Sequence, residues 1–261
     1  MGVSQVRQHV ITIAMMTLML YSACELAGIF FGSYRDQAVL AEAQHMYESS
    51  GENMASEEVP IASGWDEREP SVRSRFHSLL EQNPDIVGWV EIADTPINYP
   101  VVQAEDNSFY LSHNYRRVPS RSGSIFMDFR NDPGQDNRNM ILYGHRMKDG
   151  SMFGSLGEYL DEDFYQTHRT FSFETKYDRY DVEVFSVYVT TVDFDYIKTD
   201  FASDQEYRSF VEEIAGRSIY QVDTDLADID QIVTLSTCDY SLNSNLGRLV
   251  VHATIKNSGT K

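Results

Sequence analysis

The feature that most constrains the fold is a series of eight short segments rich in β-branched and aromatic residues. Turn residues separate them, and each segment predicts a β-strand. The predicted strands are Val87 to Ile92, Ile97 to Val102, Ser124 to Phe129, Met140 to Tyr143, Thr170 to Thr175, Tyr180 to Thr191, Gln231 to Thr237 and Arg248 to Lys256. The series predicts a mainly β fold and favours a closed or nearly closed barrel, because closure removes unpaired sheet edges.

Three other segments have helical spacing. The first follows residue 72 and ends at Asn83-Pro84, because a proline disfavours helical geometry at the residue before it. The second is Ser155 to Tyr165. The third is Asp204 to Ile214, which Ser203 can cap and whose large apolar residues lie on one face. It is inserted ahead of the predicted strand that leads to Cys238.

The composition excludes one class of partner. Asp and Glu number 40 and Lys and Arg number 21, which gives a formal net charge of −19. Such a surface repels a phosphate backbone, so nucleic acid is not an expected partner. A length of 261 residues with 42% hydrophobic residues is instead typical of one globular domain with an additional terminal segment.

An apolar segment from Val10 to Phe31 predicts a membrane anchor. As a helix its 22 residues span about 33 Å, close to the thickness of a bilayer's hydrocarbon core. Arg7 precedes the segment and mostly acidic residues follow it, so the positive-inside rule places the N-terminus in the cytoplasm. We expect a single-pass protein of the cell membrane with an extracytoplasmic domain. A cleaved signal peptide, or a lipoprotein signal at Cys24, stays open and also exports the domain.

These observations divide the chain into four parts. Residues 1–32 are the predicted anchor and residues 33–71 a solvated extracytoplasmic linker rich in Ala, Gln, Glu and Ser. Residues 72–257 are the predicted folded domain and residues 258–261 a tail. Gln37 to Tyr47 has helix-forming composition, but no apolar stripe predicts that it packs against the domain.

Cys238 is the first candidate for catalysis. The only other cysteine, Cys24, lies in the apolar segment, so Cys238 is either an inert thiol or a nucleophile. A thiol nucleophile needs a proton donor, and it needs positive charge or N–H groups facing the developing oxyanion. His145 follows one predicted strand and Arg248 opens another. Three strand ends could therefore bring the thiol, the imidazole and the guanidinium to one rim of the barrel.

These segments resemble the sortases, the membrane-anchored cysteine transpeptidases of Gram-positive bacteria. Thr234 to Cys238 matches the family's strand ending in Thr-Leu-x-Thr-Cys, Gly144-His145 matches its earlier Gly-His, and Arg248 matches the arginine that opens the next strand. Tyr143 to Met147, Ile97 to Gln103 and the helix at 204–214 are similar to class B members in particular. The resemblance covers about residues 72 to 257.

The resemblance implies a fold and a role for each matched residue. The fold is an eight-stranded sortase-type β-barrel with N-terminal helices and a helix inserted before the cysteine strand. The implied catalytic residues are Cys238 as acyl-thioester nucleophile, His145 as general acid and then base, and Arg248, which stabilises the oxyanion or positions the substrate. Asn98, Tyr143, Ser236 and Thr237 match positions that line the groove for the sorting signal. Asp239 is left out of the catalytic set, because the acidic residue that some class B members carry two places after the cysteine is Tyr240 here.

The resemblance also implies a reaction and its partners. The enzyme cleaves a C-terminal sorting signal of secreted proteins through a thioester and transfers the acyl group to an amine, from a peptidoglycan cross-bridge or a pilin lysine. No cofactor and no metal are expected; the acidic stretch from Asp223 to Asp230 lacks the Gly and Glu that an EF-hand loop requires. Two alternatives stay open: a cysteine endopeptidase that resolves the thioester with water, and an inactive surface-binding module of the same fold.

Overall fold

The computed structural model of the chain describes residues 3–52, 71–239 and 246–255. Residues 53–70 of the predicted linker and the predicted tail at 258–261 lie outside the described residues. The chain divides into two compact units, residues 1–41 and 42–261.

Helix α1 (Val3–Glu52) contains the described residues of the first unit. One stretch of it, within residues 7–50, is long and apolar enough to cross a membrane by length and composition, and its side chains are exposed. The predicted anchor lies in this helix. A signal sequence near an N-terminus has the same two properties, so the choice between an anchor and a cleaved signal stays a prediction.

Eight β-strands of the described second unit close into a barrel, which confirms the predicted fold class. They are β1 (Ile86–Glu91), β2 (Asn98–Val102), β3 (Ile125–Met127), β4 (Asn139–Tyr143), β5 (Thr170–Thr175), β6 (Arg179–Thr191), β7 (Ile232–Cys238) and β8 (Gly247–Ile255). Their order around the barrel is β1-β2-β3-β4-β7-β8-β6-β5. Neighbours are antiparallel except for the parallel pairs β2–β3 and β4–β7. Each strand overlaps a predicted one.

The remaining helices follow the predictions in two cases and differ in one. Helix α2 (His77–Gln82) ends before Asn83, as predicted. The predicted helix from Ser155 to Tyr165 is instead a 3₁₀ helix (Gly154–Leu160) followed by helix α3 (Glu162–Thr167). Asp161 separates them because its backbone is extended and its side chain accepts a hydrogen bond from the Phe164 N–H, which makes it the N-cap of α3.

Helix α4 (Asp204–Gly216) packs on the outer face of the barrel over β6, β7 and β8. The Ser203 side chain accepts a hydrogen bond from the Glu206 N–H, so the predicted cap is confirmed. The apolar face of the helix packs in one buried cluster with Ile232 of β7 and Val250 of β8. Because side chains alternate across a strand, Ser236 and Cys238 share this outer face of β7 with Ile232.

The structure corrects the predicted solvated linker at residues 42–50, where helix α1 belongs to the second unit. Ala43 and Tyr47 are buried there. The Tyr47 ring stacks on Trp89 with 4.1 Å between centroids, and its hydroxyl accepts a hydrogen bond of 3.0 Å from Arg75. Tyr47 is the one large side chain that is buried within residues 42–50. It therefore leaves no apolar stripe that sequence periodicity could detect.

We expect Tyr47→Ala to lower the free energy of unfolding of the domain by about 3 kcal/mol, because it empties a buried aromatic site. Urea unfolding of the full chain in a fixed detergent measures the change. The matched control is Tyr34→Ala on the same helix, where the side chain is 68% exposed. Equal stabilities of the two variants would contradict the packing role of Tyr47.

A buried polar chain links β8, β7 and β4 beneath α4. The Thr234 hydroxyl donates to Asn139 Oδ1 at 2.6 Å, so its oxygen accepts from His252 Nδ1 at 2.8 Å. His252 Nε2 then accepts from the Tyr188 hydroxyl at 2.8 Å. This pattern requires a neutral imidazole, and burial lowers the pKa of His252 to about 3.

His252 therefore makes the fold sensitive to acid. Its folded-state pKa lies below the unfolded value of about 6.5, so its contribution to stability is complete above that value and is lost as the pH falls toward 3. At pH 5 the loss is about 2 kcal/mol. We expect His252→Gln to reduce the stability difference between pH 7 and pH 5 by this amount in urea unfolding. His77→Gln, at an exposed histidine, is the control; an unchanged pH dependence in His252→Gln would refute the assignment.

Candidate active site

The strand register brings the three predicted catalytic residues to one rim of the barrel. Cys238, the last residue of β7, is paired directly with Arg248 at the start of β8. In the parallel pair β4–β7, Tyr143 is opposite Ser236. Gly144 and His145 follow Tyr143, so His145 and Cys238 each lie two residues beyond the last pair of this ladder, Tyr143 with Ser236.

Two hydrogen bonds extend the β4–β7 pairing beyond the strands. The Gly144 N–H donates to the Ser236 carbonyl at 3.3 Å, and the Thr237 hydroxyl donates to the Gly144 carbonyl at 2.8 Å. A Cβ at position 144 would lie 2.4 Å from Ile125 Cδ1 and 2.9 Å from the Phe153 ring. Glycine therefore lets the chain pass close to these side chains just before it reaches His145.

His145 is half-buried and is held on two sides. Its carbonyl accepts a hydrogen bond of 3.0 Å from the Phe153 N–H. Its Nε2 lies 2.7 Å from the carbonyl oxygen of Leu111. The imidazole thus has a defined orientation.

Tyr196 completes this face of the site and was not predicted. It is buried on the connection between β6 and α4, and its hydroxyl lies 2.9 Å from the Ser236 hydroxyl. Burial raises the pKa of Tyr196, and the Ser236 hydrogen bond and the charge of Arg248 act against that increase. The charge of the Cys238 thiolate acts in the same direction as burial and raises this pKa. Because irregular connections have no periodic pattern, nothing in the sequence marked this tyrosine as part of the site.

Tyr143 is held by a charged network that also reaches the Tyr196 connection. Its hydroxyl donates to Asp128 Oδ2 at 2.8 Å, and Arg130 forms two hydrogen bonds of 2.8 Å with the same carboxylate. Arg130 donates as well to the Ile197 carbonyl at 2.9 Å. Burial acts to raise the pKa of Asp128, but the bonds from Arg130 and Tyr143 outweigh it and hold the pKa below its usual range. The carboxylate is thus charged and holds the Tyr143 hydroxyl in place.

Two of the four residues predicted to line the groove are hydrogen-bonded within the domain. Thr237 lies on the opposite face of β7 from Ser236 and Cys238, and its hydroxyl is bound to Gly144. Asn98 accepts a 2.6 Å hydrogen bond from the Trp89 indole through its side chain and one of 2.8 Å from Gln44 through its carbonyl. Thr237 therefore has a structural contact, and its place in the groove stays a prediction. The amide of Asn98 is engaged at Trp89, next to Tyr47.

An ion pair joins the residues that follow the thiol and the imidazole. Arg146 directly follows His145, Asp239 directly follows Cys238, and the guanidinium donates to the Asp239 carboxylate. The carboxylate is buried and Arg146 is partly exposed. The Asp239 N–H also donates to the Gly247 carbonyl at 2.9 Å, next to Arg248. The charge complementarity of positions 146 and 239 becomes visible only when the strand register is known.

The arrangement has the parts required for acyl transfer. A thiol supplies the nucleophile, an imidazole can carry a proton, and a guanidinium supplies positive charge for an oxyanion. Among the described residues, no group of three or more His, Cys, Asp and Glu side chains is arranged to hold a metal ion.

Comparison with known proteins identifies the same architecture elsewhere. Residues 90–256 match the model of the sortase domain family. The chain is 37% identical to sortase B of Listeria monocytogenes over 243 residues, which cover 92% of this chain and 93% of that protein. A crystal structure of sortase B from Bacillus anthracis in complex with AAEK1 is 51% identical, with a TM-score of 0.73 and coverage of 87% of this chain and 99% of that one.

A structure of the Staphylococcus aureus sortase B–substrate complex is also similar, with 36% identity, a TM-score of 0.76 and coverage of 88% of this chain and all of that one. The matches extend over the barrel, the inserted helix α4 and the strand ends that carry Cys238, His145 and Arg248. They confirm the resemblance found in the sequence motifs. The chain belongs to the sortase family and is a cysteine transpeptidase of class B.

Proposed function

We propose that this sortase cleaves a C-terminal sorting signal of secreted proteins through a thioester on Cys238. The thiolate adds to the carbonyl carbon of the scissile peptide bond, and Arg248 stabilises the oxyanion or positions the substrate. The C–N bond then breaks, and the leaving amine takes a proton from His145. The observation that supports these roles best is the direct pairing of Cys238 with Arg248 beside the His145 segment.

The second half of the reaction regenerates the thiolate and the protonated imidazole. An acceptor amine gives a proton to His145 and adds to the thioester carbonyl. The C–S bond breaks, and the acyl group is transferred as a new amide. A peptidoglycan cross-bridge amine or a pilin lysine has the required chemistry, and both occur outside the cytoplasmic membrane. The apolar stretch of helix α1 supports a membrane anchor that keeps the catalytic domain there.

The sorting signal binds, in this proposal, along the outer face of β4 and β7 next to Cys238. Ser236 and Tyr143 are opposite each other on that face, and the buried Tyr196 lies over Ser236. The Asp128–Arg130 network holds Tyr143 and the Ile197 carbonyl in fixed positions. Such a wall is preorganised, which lowers the entropy cost of binding an extended peptide.

Replacement of Cys238 tests the proposed chemistry. We expect Cys238→Ala to lose all release of the leaving peptide from a library of sorting-signal peptides, and to lose the acyl adduct that mass spectrometry detects on the wild type. Cys24→Ala removes the other cysteine, which is exposed in the apolar segment, and should retain full activity.

The transpeptidase and the endopeptidase differ in the nucleophile that resolves the adduct. If product forms only when an amine such as triglycine is added, the result supports a transpeptidase. If cleavage has the same rate and gives the same acid product with or without the amine, the result indicates an endopeptidase. Peptide binding without any adduct indicates an inactive binding module. Continued peptide release by Cys238→Ala would overturn the assignment.

The Arg146–Asp239 ion pair gives a second test, because it joins the segments that carry the imidazole and the thiol. Arg146→Met leaves the buried carboxylate without this guanidinium, which lowers stability and lets the strand ends shift. We expect kcat/KM to fall about tenfold or more, since small misplacements of catalytic groups cost this much. The matched control is Lys148→Met, at an exposed position two residues away. Identical kinetics in the two variants, at a temperature where circular dichroism shows both folded, would contradict the positioning role.

A further inference from the structure

The hydrogen bond from His145 to Leu111 constrains the proton on the imidazole. A backbone carbonyl oxygen only accepts hydrogen bonds, so the Nε2 that lies 2.7 Å from it carries a hydrogen. A neutral imidazole has one N–H, and Nδ1 is then the basic nitrogen. The Leu111 carbonyl therefore favours one of the two tautomers.

The position of Leu111 explains why its carbonyl is available. Leu111 is the last residue of a short 3₁₀ helix (Phe109–Leu111). Carbonyls at a helix end have no partner within the helix and bind other groups. The carbonyl of Tyr110 accepts a hydrogen bond of 3.0 Å from the Ser124 N–H, and that of Leu111 accepts the imidazole.

Gly123 holds these two carbonyls from the other side. Its φ is +59°, a conformation that side chains disfavour. A Cβ at this position would lie 2.6 Å from the Tyr110 oxygen and 2.8 Å from the Leu111 oxygen. Both contacts are with backbone atoms, so a substitution has to displace the helix end on which His145 depends.

We propose that Gly123 is a positioning residue that, through the Leu111 carbonyl, holds His145 as the Nε2–H tautomer and leaves Nδ1 to exchange the proton during acyl transfer. The role of Nδ1 in proton exchange rests on the proposed function. The tautomer itself does not, because it follows from the contacts of the folded protein alone. The contact of Gly123 with the Leu111 carbonyl affects the position of a proton and not the binding of the peptide. Its loss should therefore change kcat more than KM.

The direct test is NMR of the full chain in micelles with ¹⁵N-labelled histidine, at a pH where the imidazole is neutral. Loss of signals in His145→Gln assigns them. We expect His145 to show the protonated nitrogen at Nε2. A wild-type His145 with its hydrogen on Nδ1 would overturn the proposal, whatever the activity of the enzyme.

The role of Gly123 is tested with Gly123→Ala and Gly123→Asn. Asparagine tolerates positive φ better than alanine and carries the same Cβ, so it separates the contact from the backbone strain and provides a second variant if Gly123→Ala fails to fold. We expect both variants to show a mixture of tautomers and a kcat reduced about tenfold or more, with KM nearly unchanged.

The matched control is Gly150→Ala, where φ is +81° but no atom lies within 4 Å of the added Cβ. It should keep the wild-type tautomer and kcat. Gly123→Asn with wild-type histidine signals and kcat would refute the role of Gly123. An inactive wild type that shows the expected tautomer would contradict the proposed function and leave the tautomer assignment intact.

Discussion

The parallel pairing of β4 with β7 is the interaction on which the site depends. It joins Asn139 to Ile232 and Tyr143 to Ser236, residues far apart in the chain. A slip of one residue would turn every side chain of one strand to the opposite face. Cys238 would then face the packed interior and Thr237 the groove. The hydrogen bonds of Gly144 with Ser236 and Thr237 fix the register at the end where the chemistry is located.

Polar groups beneath α4 stabilise that register from the outer face. His252, Thr234 and Asn139 form a hydrogen-bonded chain across β8, β7 and β4, and the Asn139 amide donates to the Lys198 carbonyl at 3.0 Å. Buried polar groups are costly unless they are paired, so this chain penalises other strand alignments. The same alignment sets the position of the connection that carries Tyr196.

The eight strands were predictable because each is a short run of β-branched and aromatic residues between turn signals. The cap and buried face of α4 were predictable because Ser203 and the spacing of its apolar residues are local patterns. The break at Asp161 was not, because a side-chain cap competed with a continuous helical pattern. Tyr47 was missed since one stacked ring, and not a periodic stripe, packs the end of α1 on Trp89.

The sequence by itself determined the order of the strands along the chain, the apolar N-terminal segment and the motifs that carry Cys238, His145 and Arg248. These are local properties of residue type and spacing. Only the tertiary structure decided that Tyr196 binds Ser236, that Arg146 pairs with Asp239, that Thr237 binds Gly144, and that Leu111 binds the imidazole through a carbonyl against which Gly123 lies. These contacts join segments distant in the chain, and their geometry follows from strand register and packing, which no local pattern encodes.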